Sequence, residues 1–210
     1  MAKDSNGRLN QLRQMIAQAA ARMMVEDGIS DYAYAKKKAG RQIGLVDNSS
    51  LPTNSEIEDE IRLYHELYSE DQPENLRQLR ENALMAMQLL ERFKPHLTGS
   101  VLDGTAGKHA ETHIHLFADS AKEVEIFLLN QQIHYETNEK SFRVGDKKGY
   151  ERFKVPVFTL EGPNGLIKLS VFEFDDMRFS TKSPSTGGAA DRLDMAGVKA
   201  LLRQSDLPNS

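Results

Sequence analysis

The sequence contains no cysteine, which excludes disulfide bonds, thiolate metal sites and cysteine nucleophiles. It has no apolar run long enough to span a bilayer. Its first residues, MAKDSNGRLNQ, lack the apolar segment of a secretory signal. With a net charge of −4, the chain has no general excess of the basic residues that nucleic-acid binders use. These absences predict a cytoplasmic protein without a membrane partner, and the charge does not indicate a nucleic acid as partner.

Apolar residues recur at helical spacing in the first part of the 210-residue chain. We predict a helical N-terminal region over residues 1–70, with surfaces through which a protein partner could bind. Ser55, followed by Glu58 three residues later, predicts a capping box at the start of the helix EIEDEIRLYHELY.

From about His96 the apolar period changes from helical to alternating. The helix ENLRQLRENALMAMQLLERF should lead into strands at Leu97–Leu102 and Thr112–Ala118. A helix follows at Ser120–Gln132, opened by a capping box of Ser120 and Glu123, and further strands include LIKLSVFEF. We therefore predict an α+β fold with a mixed sheet and flanking helices in residues 71–178. Residues 179–210 read as a polar linker and a C-terminal helix.

The stretch LTGSVLDGTAGKHAETHIHLF, residues 97–117, contains the residues that could bind a phosphate group and a metal ion. A Gly99-Ser100 pair at a strand end, before a loop containing Gly104, can present backbone N–H groups and a hydroxyl to phosphate oxygens. The next strand then alternates, so Glu111, His113 and His115 should share one face of the sheet. Carboxylates beside a phosphate site are the ligands that hold divalent metal ions in phosphoryl transfer.

This stretch resembles the signature of the nucleotidyltransferase superfamily with a DNA-polymerase-beta-like fold. Such proteins carry a helix, a strand, Gly-Ser, a loop with a further glycine, and Asp-x-Asp on the second strand. Gly99-Ser100 and Gly104 match the Gly-Ser pair and the loop, while Glu111 and His113 fall on the two metal-binding aspartates. The resemblance covers roughly residues 76–176. It implies a nucleoside triphosphate as ligand, Mg²⁺ or Mn²⁺ rather than Zn²⁺ as the metal, and Glu111 and His113 as catalytic residues.

The chain also departs from the family pattern at the metal ligands. His113 replaces a hard anionic oxygen ligand with a nitrogen ligand, which Mg²⁺ does not prefer. The family's third acid belongs on a later strand, and its nearest match is a cation, Lys168. We therefore expect nucleotidyl transfer to be weak or lost, with Lys168 contacting a phosphate directly.

The sequence leaves three other interpretations open. The chain could be a non-catalytic regulatory or protein-interaction module that binds a nucleotide or a partner. It could be a different metal-dependent enzyme, because Glu111, His113 and His115 at i, i+2 and i+4 on a strand can converge on one ion. The same three residues could also be polar positions on the exposed face of an edge strand.

Overall fold

A computed structural model describes residues 2–44, 51–146, 149–178 and 191–205 of the chain. It contains seven α-helices and one five-stranded sheet in these residues. The helices are α1 (Ala2–Glu26), α2 (Tyr32–Gln42), α3 (Asn54–Tyr68), α4 (Gln72–Leu89), α5 (Ser100–Asp103), α6 (Ala121–Asn130) and α7 (Met195–Ser205). The strands are β1 (His96–Thr98), β2 (Thr112–Ala118), β3 (Glu136–Asp146), β4 (Gly149–Gly162) and β5 (Gly165–Glu173). The predicted α+β fold class is confirmed.

The described chain forms two compact units. The first runs up to Gln72 and includes Gly107–His109, and the second holds Pro73–Ala106 and everything described from Ala110 onward. The predicted boundaries at residues 71 and 179 stay a prediction. Residues 179–190 of the predicted linker lie outside the described residues, and the predicted C-terminal helix is α7. In the described parts of the chain, no helix combines the length and apolar character needed to cross a membrane.

The first unit is built from α1, α2 and α3 around a small core rich in alanine. Small side chains let helices approach closely, so a short set of apolar residues can fill the space between them. The buried apolar residues are Ile16, Ala17, Ala20, Ala21, Met23, Ala35, Ala39, Ile57 and Ile61.

The capping box of α3 is not where the sequence suggested. Thr53 is the N-cap, its hydroxyl accepts from the backbone N–H of Glu56, and the Glu56 carboxylate accepts in return from the Thr53 N–H. The predicted pair of Ser55 and Glu58 is therefore wrong, and the Glu58 carboxylate instead accepts a hydrogen bond from the Tyr32 hydroxyl at 2.9 Å. Two overlapping Ser/Thr-x-x-Glu patterns stand in this segment, and the structure uses the first.

The second unit is a mixed sheet with the strand order β1-β2-β5-β4-β3. β2 and β5 run parallel, whereas every other neighbouring pair is antiparallel. A parallel pair needs a long crossover connection, which α6 and the β3–β4 hairpin supply here. Ser120 is the N-cap of α6, as expected, but its side chain makes no capping hydrogen bond, so the predicted capping box with Glu123 is wrong.

Alternation along the strands gives the sheet two different faces. One face joins apolar residues of α4, α6 and α7 in the main core. Its strand residues include Leu97, Ile114, Leu116, Leu169 and Val171. The opposite face carries His113, His115 and Phe117 on β2 and, paired with them in register, Lys168, Ser170 and Phe172 on β5.

The strand predicted at Leu97–Leu102 ends early, at Thr98. Gly99 has φ +76° and ψ −159°, a backbone conformation essentially restricted to glycine, and this bend turns the chain out of the sheet. The next four residues form the single helical turn α5, in which the Asp103 N–H donates to the Gly99 carbonyl at 2.9 Å. Gly104 closes the turn in the left-handed conformation. The partner strand, β2, has the predicted bounds.

Candidate functional site

The Gly99 bend lies beside His113 on the neighbouring strand. Thr98 pairs with His113 in the β1–β2 register, so the residue after Thr98 leaves the sheet next to this imidazole. A Cβ placed on Gly99 would lie 3.5 Å from Cδ2 of His113. The structure thus brings the Gly99-Ser100 pair and one of the two predicted metal-binding positions together.

Arg80 of α4 holds the α5 turn in place by hydrogen bonds to its carbonyl oxygens. Its buried guanidinium donates from Nε to the Val101 carbonyl at 3.0 Å and from Nη2 to the Leu102 carbonyl at 3.2 Å. Burial lowers the pKa of Arg80, but guanidinium remains charged in proteins. The N–H groups of Ser100, Val101 and Leu102 precede the first helical bond, so they have no acceptor within the turn.

A cluster of charged side chains lies on the same face of the sheet. The Lys168 ammonium Nζ is 2.7 Å from Oε2 of Glu111, and Nε2 of His113 is 3.9 Å from the same oxygen. The β2–β5 register explains this arrangement, because His113 pairs directly with Lys168. The side chains of Glu111 and Lys168 are each 31% exposed, so the pair is accessible from solvent.

The surroundings of His113 keep its imidazole neutral. Burial is the largest cause, and together with the positive charge of Lys140 it lowers the pKa of His113 to about 4, although the Glu111 carboxylate acts in the opposite direction. The pKa of Lys140 is also lowered, first by desolvation and then by Lys168.

His115 shares the face with Glu111 and His113 but lies in different surroundings. Its ring centroid is 4.6 Å from that of Phe172 and 5.5 Å from that of Phe142. This burial lowers the pKa of His115 to about 3. Its Nδ1 atom is buried with no hydrogen-bond partner among the residues that the structure describes. The aromatic contacts separate its environment from that of the charged cluster.

The structure brings some predicted site residues together and not others. Gly99, His113, Glu111 and Lys168 lie together at one end of β1, β2 and β5. Ser100 follows Gly99 as the first residue of α5, and Gly104 closes the other end of that turn. In the described ranges no group of three or more His, Cys, Asp or Glu side chains is arranged to hold a metal ion.

Two residues of the site were not singled out from the sequence. Arg80 interrupts the buried stripe of α4, and a charged residue on such a stripe is a signal that can be recognised, because it needs a buried partner. Lys140 gives no such signal, since it is one of several polar residues in β3. Only the pairing of strands brings its charge to act on the pKa of His113.

Comparisons of this chain with protein-family models, with curated proteins and with solved structures found no match.

Proposed function

We propose that the sheet unit binds a nucleoside triphosphate, and that its nucleotidyl transfer activity with Mg²⁺ is weak or lost. In this proposal Gly99 and Ser100 contact the phosphate chain with backbone N–H groups and the Ser100 hydroxyl, while Gly104, whose N–H donates to the Ser100 carbonyl, closes the turn that presents them. Lys168 adds a positive charge beside them. The observation that carries the proposal is the 2.7 Å ion pair of Lys168 and Glu111.

The ion pair bears directly on metal binding. In a metal-dependent transferase the carboxylates hold divalent cations that neutralise the triphosphate. Here the only carboxylate at the matched positions, Glu111, is already paired with an internal cation. A divalent ion at this place would have to displace Lys168 and tolerate its charge nearby, and it would gain one carboxylate and at most one neutral imidazole. Such a donor set is poor for Mg²⁺, which prefers oxygen ligands in octahedral geometry.

The phosphate-binding part of the proposal rests on the geometry of the α5 turn. Arg80 fixes the turn through its carbonyl oxygens, so the opposite, N–H-bearing end keeps one orientation. Backbone N–H groups of this kind, held rigidly beside a cation, match the acceptor oxygens of a phosphate. Binding without turnover is also how a regulatory nucleotide-binding module works. The protein partner expected at the N-terminal helices stays a prediction.

The test is calorimetric titration of the full chain with each nucleoside triphosphate in the presence of Mg²⁺. Wild type should bind at least one of them, and Lys168→Met should weaken binding by about tenfold or more, because a charged hydrogen bond is removed. Lys154→Met is the matched control, since Lys154 is exposed and pairs with Glu139. The proposal would be refuted if no nucleoside triphosphate binds, or if Lys168→Met and Lys154→Met lose the same amount of binding affinity.

A further inference from the structure

Helix α3 buries one face in the core of the first unit and exposes apolar side chains on another. Ile57 and Ile61 are buried, whereas Leu63 and Leu67, which lie one turn apart, are 44% and 60% exposed. A surface leucine by itself needs no explanation, but neighbouring exposed apolar side chains with a polar border are typical of a protein–protein interface.

Acidic residues border these two leucines. Glu60 lies one turn before Leu63 and Glu66 one turn after it, so the three share one side of the helix. The single arginine of α3, Arg62, is already paired with Asp59 at 3.0 Å. Among the described residues, no basic side chain forms an ion pair with Glu60 or Glu66. We call the surface formed by residues 60, 63, 66 and 67 the α3 face, and it is apolar with a negative border.

Helix α2 has an exposed surface of the opposite charge. Tyr34, Lys37 and Arg41 lie at i, i+3 and i+7, which places them on one side of the helix. Tyr34 is 57% exposed, and Lys37 and Arg41 are exposed as well. Tyrosine and arginine are enriched in protein–protein interfaces. We call this set of three residues the α2 face, and it combines an aromatic ring with two positive charges.

The other two lysines of α2 are used within the chain. Lys36 donates from Nζ to Oδ1 of Asn54 at 2.6 Å, and Nζ of Lys38 lies 3.6 Å from a carboxylate oxygen of Asp27. In contrast, the two basic residues of the α2 face form no ion pair with any residue that the structure describes. Their charges are therefore available to a surface outside the chain.

The two faces complement each other in charge and in apolar character, and both belong to the first unit. Within one chain they do not cover each other, because both are exposed. A second copy of the chain carries the missing half of each contact. This complementarity favours a second copy over an unrelated protein as the occupant of both faces.

We propose that two copies of the chain form a symmetric dimer in which the α2 face of each copy packs on the α3 face of the other. A two-fold axis forms both contacts at once, so the assembly closes as a dimer. Tyr34 then covers Leu63 and Leu67, while the two basic residues of one copy meet the two acidic residues of its partner. The inference goes beyond the nucleotide-binding function proposed for the sheet unit and does not rest on it.

The experiment is sedimentation velocity of the full-length protein over a series of concentrations. Wild type should change from monomer to dimer as the concentration rises. Glu60→Lys with Glu66→Lys, and separately Lys37→Glu with Arg41→Glu, should each weaken the dimer by about tenfold or more, because like charges then meet at both contacts. An equimolar mixture of the two double variants should dimerise again, since every contact in the mixed dimer joins an acidic face to a basic one.

Two further variants serve as controls. Glu123→Lys with Glu161→Lys makes the same charge change at exposed positions of the second unit and should stay within about twofold of wild type. Leu67→Ser removes exposed apolar surface without changing the charge, and it should weaken the dimer by about tenfold, since it acts at both contacts. Thermal unfolding of each variant shows whether a loss of association comes from the interface or from the fold.

Three results would overturn the proposal. A wild-type protein that stays monomeric at every concentration would exclude a second copy as the occupant. A dimer of unchanged affinity in the double variants would show that the copies associate through another surface. A mixture of the two double variants that stays monomeric would show that the α2 and α3 faces do not meet.

Discussion

The ammonium group of Lys168 lies 2.7 Å from the carboxylate oxygen Oε2 of Glu111. Lys168 is on β5, and Glu111 immediately precedes β2, the parallel neighbour of β5. In the proposed nucleotide-binding site, a carboxylate at this position would otherwise hold a metal ion. Because Lys168 already pairs with Glu111, we expect weak metal binding at this position, and changing the charges tests this expectation.

Carboxylates introduced at positions 113 and 168 should create a metal-binding site. The double substitution His113→Asp with Lys168→Asp replaces an imidazole and a cation by two carboxylates next to Glu111, and three convergent carboxylates attract a divalent ion strongly. We expect Mn²⁺ to bind the double variant at least about tenfold more tightly than wild type, measured by electron paramagnetic resonance of free Mn²⁺. The control is Lys154→Asp with His134→Asp, which makes the same charge change at exposed positions. Equal Mn²⁺ affinity in wild type and the double variant would contradict the account.

His115 should make the protein less stable as the pH falls. Its pKa is lowered to about 3 in the folded chain, chiefly by burial, against about 6.5 in an unfolded chain. The unfolded state therefore binds more protons below pH 6.5, so the stability present above that pH is lost as the pH falls towards 3. His115→Phe, which keeps a ring beside Phe172, removes this effect. Between pH 7 and pH 5 the free energy of unfolding should fall by about 2 kcal/mol less in the variant than in wild type.

Urea unfolding followed by circular dichroism at pH 7, 6 and 5 measures this difference. Because other groups titrate alike in both proteins, only the difference between the two slopes is attributed to His115. An identical dependence on pH in wild type and in His115→Phe would show that the imidazole is not desolvated as the structure implies.

Gly99 should not tolerate alanine. Its φ of +76° with ψ of −159° is a conformation that costs a side-chain-bearing residue about 1–3 kcal/mol, although a Cβ would meet only ordinary contact with His113. We expect Gly99→Ala to lower the free energy of unfolding by this amount and to weaken nucleotide binding. Gly7→Ala is the control, since a Cβ there meets nothing within 4 Å and alanine favours the helix by up to about 1 kcal/mol. Full stability of Gly99→Ala in urea would contradict the prediction.

The sequence predicts β2 well and β1 poorly, for a physical reason. Alternation between apolar and polar residues marks β2 because its two faces meet different surroundings: Ile114 lies in the main core and His113 in the charged cluster. The end of β1 depends instead on the backbone torsion of one residue, Gly99. A local pattern that continues to Leu102 does not reveal this torsion. The same limit explains the capping box, where two overlapping patterns are chemically equivalent.

The candidate site could be predicted only in part, because strand pairing forms it. Glu111, His113 and Gly99 are close in sequence, and their proximity follows from one hairpin-like return of the chain. Lys168 was found because a family resemblance pointed to its strand, and its ion pair with Glu111 depends on the parallel β2–β5 register. The charge of Lys140, on the edge strand β3, lowers the pKa of His113, and no spacing in the sequence encodes this effect.

The measurement that tests the account most directly is pyrophosphate release by the purified wild-type protein with each nucleoside triphosphate and Mg²⁺. If Lys168 takes the place of a metal ion beside Glu111, release should stay at the level of a protein-free control, although the nucleotide binds. Robust release that requires Mg²⁺ and disappears in Glu111→Ala would contradict this account, because Glu111 would then be holding a catalytic metal ion rather than Lys168.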